Sequence, residues 1–168
     1  MRRAGAPAQG RRRRRRMSTT DTATTNATGR LKLLAEDADD LSVISAALQD
    51  AVAKVGDIDF DPQGKRLTVA FNRFRWEAGE GQRVRAGLQF GGVLKCQARR
   101  IRRDAADAVV ELLAISFEPG EGEENPGGTV VMHFAGDADL RCEVECIDAA
   151  LADVSEPWPT KRTPGHAT

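Results

Sequence analysis

Apolar side chains recur at every second position in six segments of this chain, and this alternation limits the fold more than any other feature. A period of two is typical of a strand with one face buried and the other in water. The segments begin at Ile58, Leu67, Val84, Leu94, Val130 and Leu140. Short stretches rich in Gly, Pro or Asp separate most of them, as in hairpins between antiparallel strands. The pattern therefore predicts a mainly antiparallel sheet.

One segment has the period of a helix instead. Leu41, Ile44 and Leu48 recur at intervals of three and four within residues 37–51, which indicates a single apolar helix face. Three aspartates at the start of this segment favour a helix N-terminus. We therefore predict one long helix over residues 37–51, preceded by a short strand over residues 31–34.

The order of these elements predicts an α+β domain. We expect a bent antiparallel sheet or a partly closed barrel of six to seven strands, with the long helix near its N-terminus. A pleckstrin-homology-like roll is an alternative, although here the long helix comes first and not last. A short helix is also expected from about Asp148.

Three local patterns refine the sheet. Residues 109–117 are apolar on both faces, which predicts a central strand. The inward phase shifts by one residue near Asn72, so that Phe74 and Trp76 continue the apolar face, and we predict a β-bulge there. The glycine pair at 91–92 predicts a tight turn or a sharp bend within a strand.

The chain divides into three parts by composition. Residues 1–29 form an Arg- and Thr-rich leader that we predict to be disordered, residues 30–155 a single globular domain, and residues 156–168 a tail containing prolines. Met17 follows the arginine run and is an alternative start. In that case residues 1–16 are upstream sequence; otherwise they form a basic arm for nucleic acid or an anionic surface.

The net charge of zero conceals an acidic domain. Eight of the 25 Lys and Arg residues lie in residues 1–16, which leaves 17 against 25 acidic residues and a net charge of −8. A domain of this charge is unsuited to nonspecific binding of nucleic acid over its whole surface. A local basic patch is still compatible with it.

The sequence favours a cytoplasmic location. No apolar run reaches the roughly 18 residues that a membrane helix needs, and no apolar segment of a signal peptide follows the arginines. The three cysteines, Cys96, Cys142 and Cys146, are odd in number and have no paired spacing, which indicates a reducing compartment.

Motifs of catalysis and of cofactor binding are missing from the sequence. There is no nucleophile elbow, phosphate-binding loop or dinucleotide fingerprint, and we expect neither a cofactor nor a metal. Cys142 and Cys146 share the inward phase of the last strand and are interpreted as core residues. Ser116 has no base that the sequence reveals. The alternating carboxylates Asp57 and Asp59 are interpreted as a solvated face. An enzymatic activity is uncertain and not favoured.

The most informative candidate site is a set of cations with a shared outward phase on three consecutive strands and the loop after them. Its members are Arg73, Arg75, Arg83, Arg85, Lys95, Arg99, Arg100, Arg102 and Arg103. Because neighbouring strands are about 4.8 Å apart, these side chains would share one sheet face. If the bulge is misplaced, an aromatic side chain would join them, as on platforms for single-stranded nucleic acid.

The same cations have a simpler interpretation as members of cross-strand ion pairs. The acidic residues available for such pairs are Glu77, Glu80, Glu111, Glu143 and Glu145. A third interpretation gives the arginines a catalytic role. The sequence leaves all three open.

Two classes of function follow. The first is a non-enzymatic interaction module whose basic sheet face binds an anionic partner, either an acidic protein surface or RNA. The alternative is a small enzyme or a small-molecule-binding regulator that uses a cleft beside the helix. A homodimer joined through a sheet edge or through residues 109–117 is a further possibility.

Several blocks of sequence resemble one family. They are residues 31–41 (LKLLAEDADDL), 71–77 (FNRFRWE), 115–120 (ISFEPG), 144–148 (VECID) and the Pro-Trp-Pro exit at 157–159. Together they resemble an uncharacterised alphaproteobacterial family, the domain of unknown function numbered 2948, over about residues 31–166. The resemblance implies a bacterial cytosolic protein whose relatives start near Met17. It implies no activity, cofactor or catalytic residue.

Overall fold

Strands account for most of the structure, and short turns join many of them. The computed structural model describes residues 23–25, 30–78 and 81–160. In these ranges the strands are β1 (Ala23–Thr25), β2 (Leu31–Ala35), β3 (Val52–Lys54), β4 (Ile58–Asp61), β5 (Arg66–Phe74), β6 (Gln82–Phe90), β7 (Val93–Arg99), β8 (Val109–Pro119), β9 (Gly128–Phe134), β10 (Ala138–Val144), β11 (Ala149–Asp153) and β12 (Trp158–Pro159). Helix α1 spans Ala38–Ala47, and single 3-10 turns cover Val55–Asp57 and Trp76–Ala78.

All the strands belong to one bent antiparallel sheet. The order is β1-β2-β11-β6-β5-β3-β8-β9-β10-β7, with β12 paired to β6 and β4 paired to β5. Strand β8 has neighbours on both sides, as its apolar sequence predicts. The α+β class and the bent sheet are confirmed. The predicted count of six to seven strands is wrong, because several short strands at the ends and branches of the sheet lack a visible alternation.

Helix α1 is shorter than predicted. Asp37 caps its N-terminus by accepting a hydrogen bond from the backbone N–H of Asp40 at 2.8 Å. Leu41 and Ile44 are buried as expected. The helix ends at Ala47 and not at residue 51, because Asp50 takes a positive φ of 66° and the chain then enters β3. The apolar spacing past residue 47 belongs to this turn and to the following strand.

The β-bulge predicted near Asn72 is not present. Strands β5 and β6 pair in continuous register from Leu67 opposite Phe90 to Phe74 opposite Arg83. Because the alternation is unbroken, the inward position after Phe71 is occupied by Arg73, which is fully buried. The shift seen in the sequence arose because an arginine stands where an apolar residue is expected.

The glycine pair at 91–92 acts as a corner and not as a hairpin turn. Gly92 has a φ of +66°, a conformation that favours glycine. After this corner β7 pairs with β10 and not with β6. The expectation that β7 extends the β5–β6 hairpin is therefore wrong, whereas the sharp strand bend is confirmed.

The last segment of the domain is a strand, not the short helix expected from Asp148. Strand β11 pairs with both β2 and β6, so Leu151 lies between Leu33 and Leu88. All three of these side chains are buried. The tertiary demand for a strand between two others overrides the helical tendency of the alanines at 149, 150 and 152.

The flanking regions contribute two short strands. Strand β1, within the predicted leader, pairs with β2. In the tail, β12 places Trp158 opposite Arg83. The rest of the predicted leader up to residue 29, and residues 161–168, lie outside the described residues.

The core lies between α1 and the sheet. Helix α1 packs mainly on β8 and β2, and the Ser45 hydroxyl accepts a hydrogen bond from the Ile115 N–H at 2.9 Å. The largest fully buried apolar side chains are Leu41, Ile44, Leu48, Leu67, Phe71, Leu88, Phe90, Leu112, Met132, Phe134 and Leu151. Helix α1, with ten residues, is too short to cross a bilayer, and the described ranges contain no helix that could do so.

Candidate partner-binding site

The nine predicted cations do not share one face. Strand β6 lies in the middle of the sheet order and β7 at one end of it, so the arginines of β5 and β6 are far in the order from those of β7 and its loop. The separation follows from the corner at 91–92, which directs the chain to the opposite end of the sheet. The cations therefore form three sets: the buried Arg73, a group on β6 and just after β5 (Arg75, Arg83 and Arg85), and a group on β7 and residues 100–103.

Arg73 belongs to a buried ion network rather than to the surface. Its Nε donates to Asp153 Oδ1 at 2.8 Å and its Nη2 to Asp153 Oδ2 at 2.9 Å. The guanidinium also donates two hydrogen bonds to Glu77, at 3.1 and 2.8 Å. The side chains of Arg73 and Asp153 are 0% and 1% exposed, and that of Glu77 is 42% exposed. The prediction that Arg73 points outward is wrong.

Two opposing effects set the protonation of this network. Burial by itself would lower the pKa of Arg73, but hydrogen bonds and Coulombic attraction to Glu77 and Asp153 outweigh it and raise the pKa. Burial would likewise raise the pKa of Glu77, yet its hydrogen bonds with Arg73 lower it below the ordinary value. Arg73 and Glu77 are therefore held in their charged forms.

The other cations of β5 and β6 are largely engaged within the domain. Arg75 bonds to Gln82 and lies 3.7 Å from Glu77. Arg83 donates to the backbone carbonyl of Asn72 at 3.2 Å. Arg85 donates to Asp57 at 3.0 Å and to the Asn72 side chain. These arginines are therefore partly occupied by contacts within the domain, although neither ion pair, Arg75–Glu77 or Arg85–Asp57, joins two adjacent strands.

An aromatic residue does stand beside these arginines, as expected if the bulge is absent. Phe74 lies opposite Arg83 in the register, but its ring is 6% exposed and packs against Trp76 with centroids 4.6 Å apart. A base could not stack on a covered ring. Phe74 is therefore closed to a base, and the exposed aromatic residues of the β5–β6 region are Trp76 and Trp158.

The third group lies on β7 and the loop that follows. Arg99 donates to Asp139 at 2.8 Å and to Asp137 at 3.3 Å, and these bonds raise its pKa. Four other cations, which we call the edge patch, are exposed and form no ion pair with any residue in the described part of the chain. The edge patch consists of Lys95, Arg100, Arg102 and Arg103.

An apolar cavity opens beside the edge patch. It has a volume of about 340 Å³ and lies between β4 and β7. Its lining consists of Val55, Ile58, Phe60, Leu67, Cys96, Ala98, Ile101, Arg103 and Leu140. Both β4 and β7 have a single strand neighbour among the described residues. The cavity therefore lies between two strand edges, with a cation of the edge patch in its wall.

The sequence analysis predicts a cleft beside the helix, and this cavity lies elsewhere. None of its lining residues belongs to α1. The apolar face of the helix is instead covered by β8 and β2.

The cavity wall also contains one member of a cysteine pair that the sequence did not reveal. Cys96 lies directly opposite Cys142 in the β7–β10 register, and their Sγ atoms are 2.9 Å apart. The hydrogen bond from Cys142 lowers the pKa of Cys96, whereas the same bond and burial raise the pKa of Cys142. Cys142 is buried as predicted. Cys146 is exposed, contrary to the prediction, because β10 ends at Val144.

A second polar pair lies on the outer surface of the sheet. Ser116 Oγ is 2.8 Å from Nε2 of His133 on the neighbouring strand, so Ser116 has a potential base that the sequence did not show. The serine is exposed, and it lines neither the cavity beside the edge patch nor the pocket between Gly120 and Glu143. A hydroxyl and an imidazole without an enclosing site do not amount to a catalytic centre.

Of the carboxylates singled out in the sequence, Asp57 is used by Arg85 and Glu145 by Lys65, in ion pairs of 3.0 and 2.8 Å. In the portion of the chain that the structure describes, no group of three or more His, Cys, Asp or Glu side chains could hold a metal ion. Glu80 lies outside the described residues.

The protein is thus a bent antiparallel sheet with a cavity between two of its strand edges, and the edge patch lies beside this cavity. By sequence the chain belongs to the family described as protein of unknown function, DUF2948, whose model matches residues 31–166. This match confirms the family expected from the resemblance. Searches of curated proteins and of solved structures found no significant match.

Proposed function

We propose that this protein is a non-catalytic interaction module that binds an extended acidic segment of a partner protein along β7 and the loop at residues 100–103. The observation that carries the proposal is a cavity between two strand edges, lined mainly by apolar side chains and by Arg103 of the edge patch. The established family assigns no activity to the chain. The proposal therefore depends on the geometry alone.

A strand edge beside an apolar cavity favours binding by strand addition. An extended peptide can form main-chain hydrogen bonds with an unpaired edge, while every second side chain enters a pocket. Strand β7 offers such an edge, and Cys96 and Ala98, which share one face of it, line the cavity. Apolar side chains of the peptide would fill the cavity and its other side chains would remain in water.

The charge distribution favours an acidic peptide on the β7 side. The exposed cations Arg100, Arg102 and Arg103 follow β7 directly. The opposite edge, β4, carries Asp59 and Asp61, both exposed. An acidic peptide is therefore attracted to β7 and repelled from β4, which determines the edge along which it lies.

A protein partner is favoured over RNA because few aromatic side chains surround the edge patch. Single-stranded RNA is bound by aromatic rings on which bases stack. Phe60 is the one aromatic residue in the cavity wall, and the half-exposed Trp76 and Trp158 belong to the β5–β6 region. The domain outside residues 1–16 is also acidic overall.

The proposal can be tested with a short synthetic peptide in which Glu and Val alternate. We expect the full-length protein to bind this peptide in a fluorescence anisotropy titration, with affinity that falls as salt is raised. A peptide of the same length with Lys in place of Glu is the control and should not bind. Equal binding of both peptides would show that the edge patch does not select an acidic peptide by its charge.

Two pairs of variants separate the contributions of charge and of the cavity. Arg102→Glu should weaken binding of the acidic peptide by about tenfold, whereas Lys32→Glu, an equal change of charge on a distant strand, should leave it nearly unchanged. Ala98→Phe, which fills the cavity, should also weaken binding. Gln97→Phe, on the other face of β7, is its matched control.

The same titration distinguishes other occupants. If single-stranded oligouridylate binds and the acidic peptide does not, the partner class is nucleic acid and the proposal is wrong. If a medium-chain fatty acid binds, and Ala98→Phe but not Arg102→Glu abolishes its binding, the cavity is the site of a small-molecule regulator, which would also overturn the proposal.

A further inference from the structure

We propose that Cys96 and Cys142 form a redox-active dithiol, which a hydroperoxide converts into a disulfide within the chain. Cys96 and Cys142 are directly opposite on adjacent antiparallel strands, and their Sγ atoms are already in contact at 2.9 Å. Cys96 also lines the cavity proposed for the peptide, but the oxidation does not depend on peptide binding.

The backbone permits the bond without a change of fold. Residues directly opposite on antiparallel strands have Cα atoms about 4.5–5.5 Å apart, which falls within the range of disulfides. From 2.9 Å the two sulfur atoms need to approach by less than about 1 Å to reach a bond length near 2.05 Å. A small rotation of the half-buried Cys96 side chain supplies this movement.

The two thiols are suited to different roles. Cys96 is half-buried and lies in the wall of the cavity, whose volume of about 340 Å³ admits a molecule as small as hydrogen peroxide. Cys142, on the adjacent strand, is buried. The lowered pKa of Cys96 and the raised pKa of Cys142 agree with this division, because the thiolate is the reactive form of cysteine.

The reaction then has two balanced steps. The Cys96 thiol loses its proton, its thiolate attacks one oxygen of the peroxide, and the O–O bond breaks. The departing hydroxide takes up the proton that Cys96 released and becomes water, which leaves a sulfenic acid on Cys96. The Cys142 sulfur attacks the Cys96 sulfur and expels the hydroxyl group, which leaves as water with the proton of Cys142. The two thiols are oxidised by two electrons in all, and one peroxide is reduced to two waters. A dithiol such as dithiothreitol reverses the reaction by thiol–disulfide exchange.

Mass spectrometry of the full-length protein tests the proposal. The reduced protein is treated with equimolar hydrogen peroxide, unfolded and alkylated with iodoacetamide. We expect one alkyl group per chain in place of three, and their return to three after dithiothreitol. Trypsin leaves Cys142 and Cys146 in one peptide, so a Glu-specific protease is added to cut after Glu143 and Glu145. The linked peptides should then contain Cys96 and Cys142.

Two variants serve as controls. Cys146→Ser changes an exposed thiol and should leave the Cys96–Cys142 link unchanged. Cys142→Ala removes the second sulfur, so the sulfenic acid on Cys96 should persist and react with dimedone. If Cys142→Ala does not fold, the wild-type protein and Cys146→Ser still show whether the Cys96–Cys142 disulfide forms. Three alkylated thiols after peroxide treatment, or a disulfide that includes Cys146, would overturn the proposal.

Discussion

Arg73 and the edge patch show two opposite uses of cations in one small domain. Arg73 is fully buried and shares four hydrogen bonds with two carboxylates. The edge patch is exposed and has no ion pair among the residues described. The difference lies in the placement of acidic residues, because Asp153 and Glu77 both contact Arg73, whereas no carboxylate of the described residues forms an ion pair with the edge patch. The first arrangement stabilises the fold, and the second leaves charge available to a partner.

The largest expected effect comes from removing the buried cation. Arg73→Met should lower the free energy of unfolding by about 3–5 kcal/mol, because Asp153 would remain buried without a counter-charge. Urea denaturation followed by circular dichroism measures this loss. The double variant Arg73→Met/Asp153→Leu should be more stable than the single variant. A loss of less than about 1 kcal/mol in Arg73→Met would show that the network contributes little.

A smaller effect is expected from Glu77, the exposed member of the same network. Glu77→Gln should cost about 1 kcal/mol at neutral pH, since the glutamate is 42% exposed and water screens its charge. Its folded-state pKa is lowered, so its contribution is complete above the ordinary glutamate pKa of 4.5 and is lost as the pH falls through the lower folded value.

The difference in unfolding free energy between wild type and Glu77→Gln should therefore shrink below pH 4.5. Urea titrations at neutral and at acidic pH give this difference directly. A difference that stays constant, or grows, as the pH is lowered contradicts the assignment.

The smallest effect is expected at the edge patch. Arg102→Ala and Arg103→Ala should each change the free energy of unfolding by no more than about 0.5 kcal/mol, because exposed side chains without partners add little to stability. The measurement is the same urea titration. A loss above about 1 kcal/mol in either variant would assign the loop a structural role and weaken the contrast with Arg73.

Much of the sheet could be predicted from the sequence because its signals are local. The alternation of Leu67, Val69 and Phe71 gives the buried face of β5, and the Asp37 cap gives the start of α1. Such patterns depend on a strand or a helix alone. They say little about which strands become neighbours, and the glycine pair at 91–92 fits a hairpin as well as a corner.

The Arg73 network and the cysteine pair could not be predicted, because each joins residues that are distant in sequence. Arg73 finds Asp153 at a separation of 80 residues and Cys96 finds Cys142 at 46. A charged residue at an inward position ordinarily indicates that the alternation of buried and exposed residues has shifted by one. The predicted β-bulge near Asn72 follows from that rule. The inward phases of Cys96 and Cys142 were both visible. The pairing of β7 with β10, which brings the two sulfur atoms together, was not.

The pairing of β2 with β11 has a consequence for how the protein is made. Ala35 is opposite Ala149, and Leu33 is opposite Leu151. During synthesis the first of these strands leaves the ribosome long before the second exists, at the usual rate of about 5–20 residues per second. Until Asp153 has also emerged, Arg73 has no carboxylate on that side. Until β11 emerges, the nascent domain therefore exposes the edge of β2 and the charge of Arg73, and chaperone binding would matter most in this period.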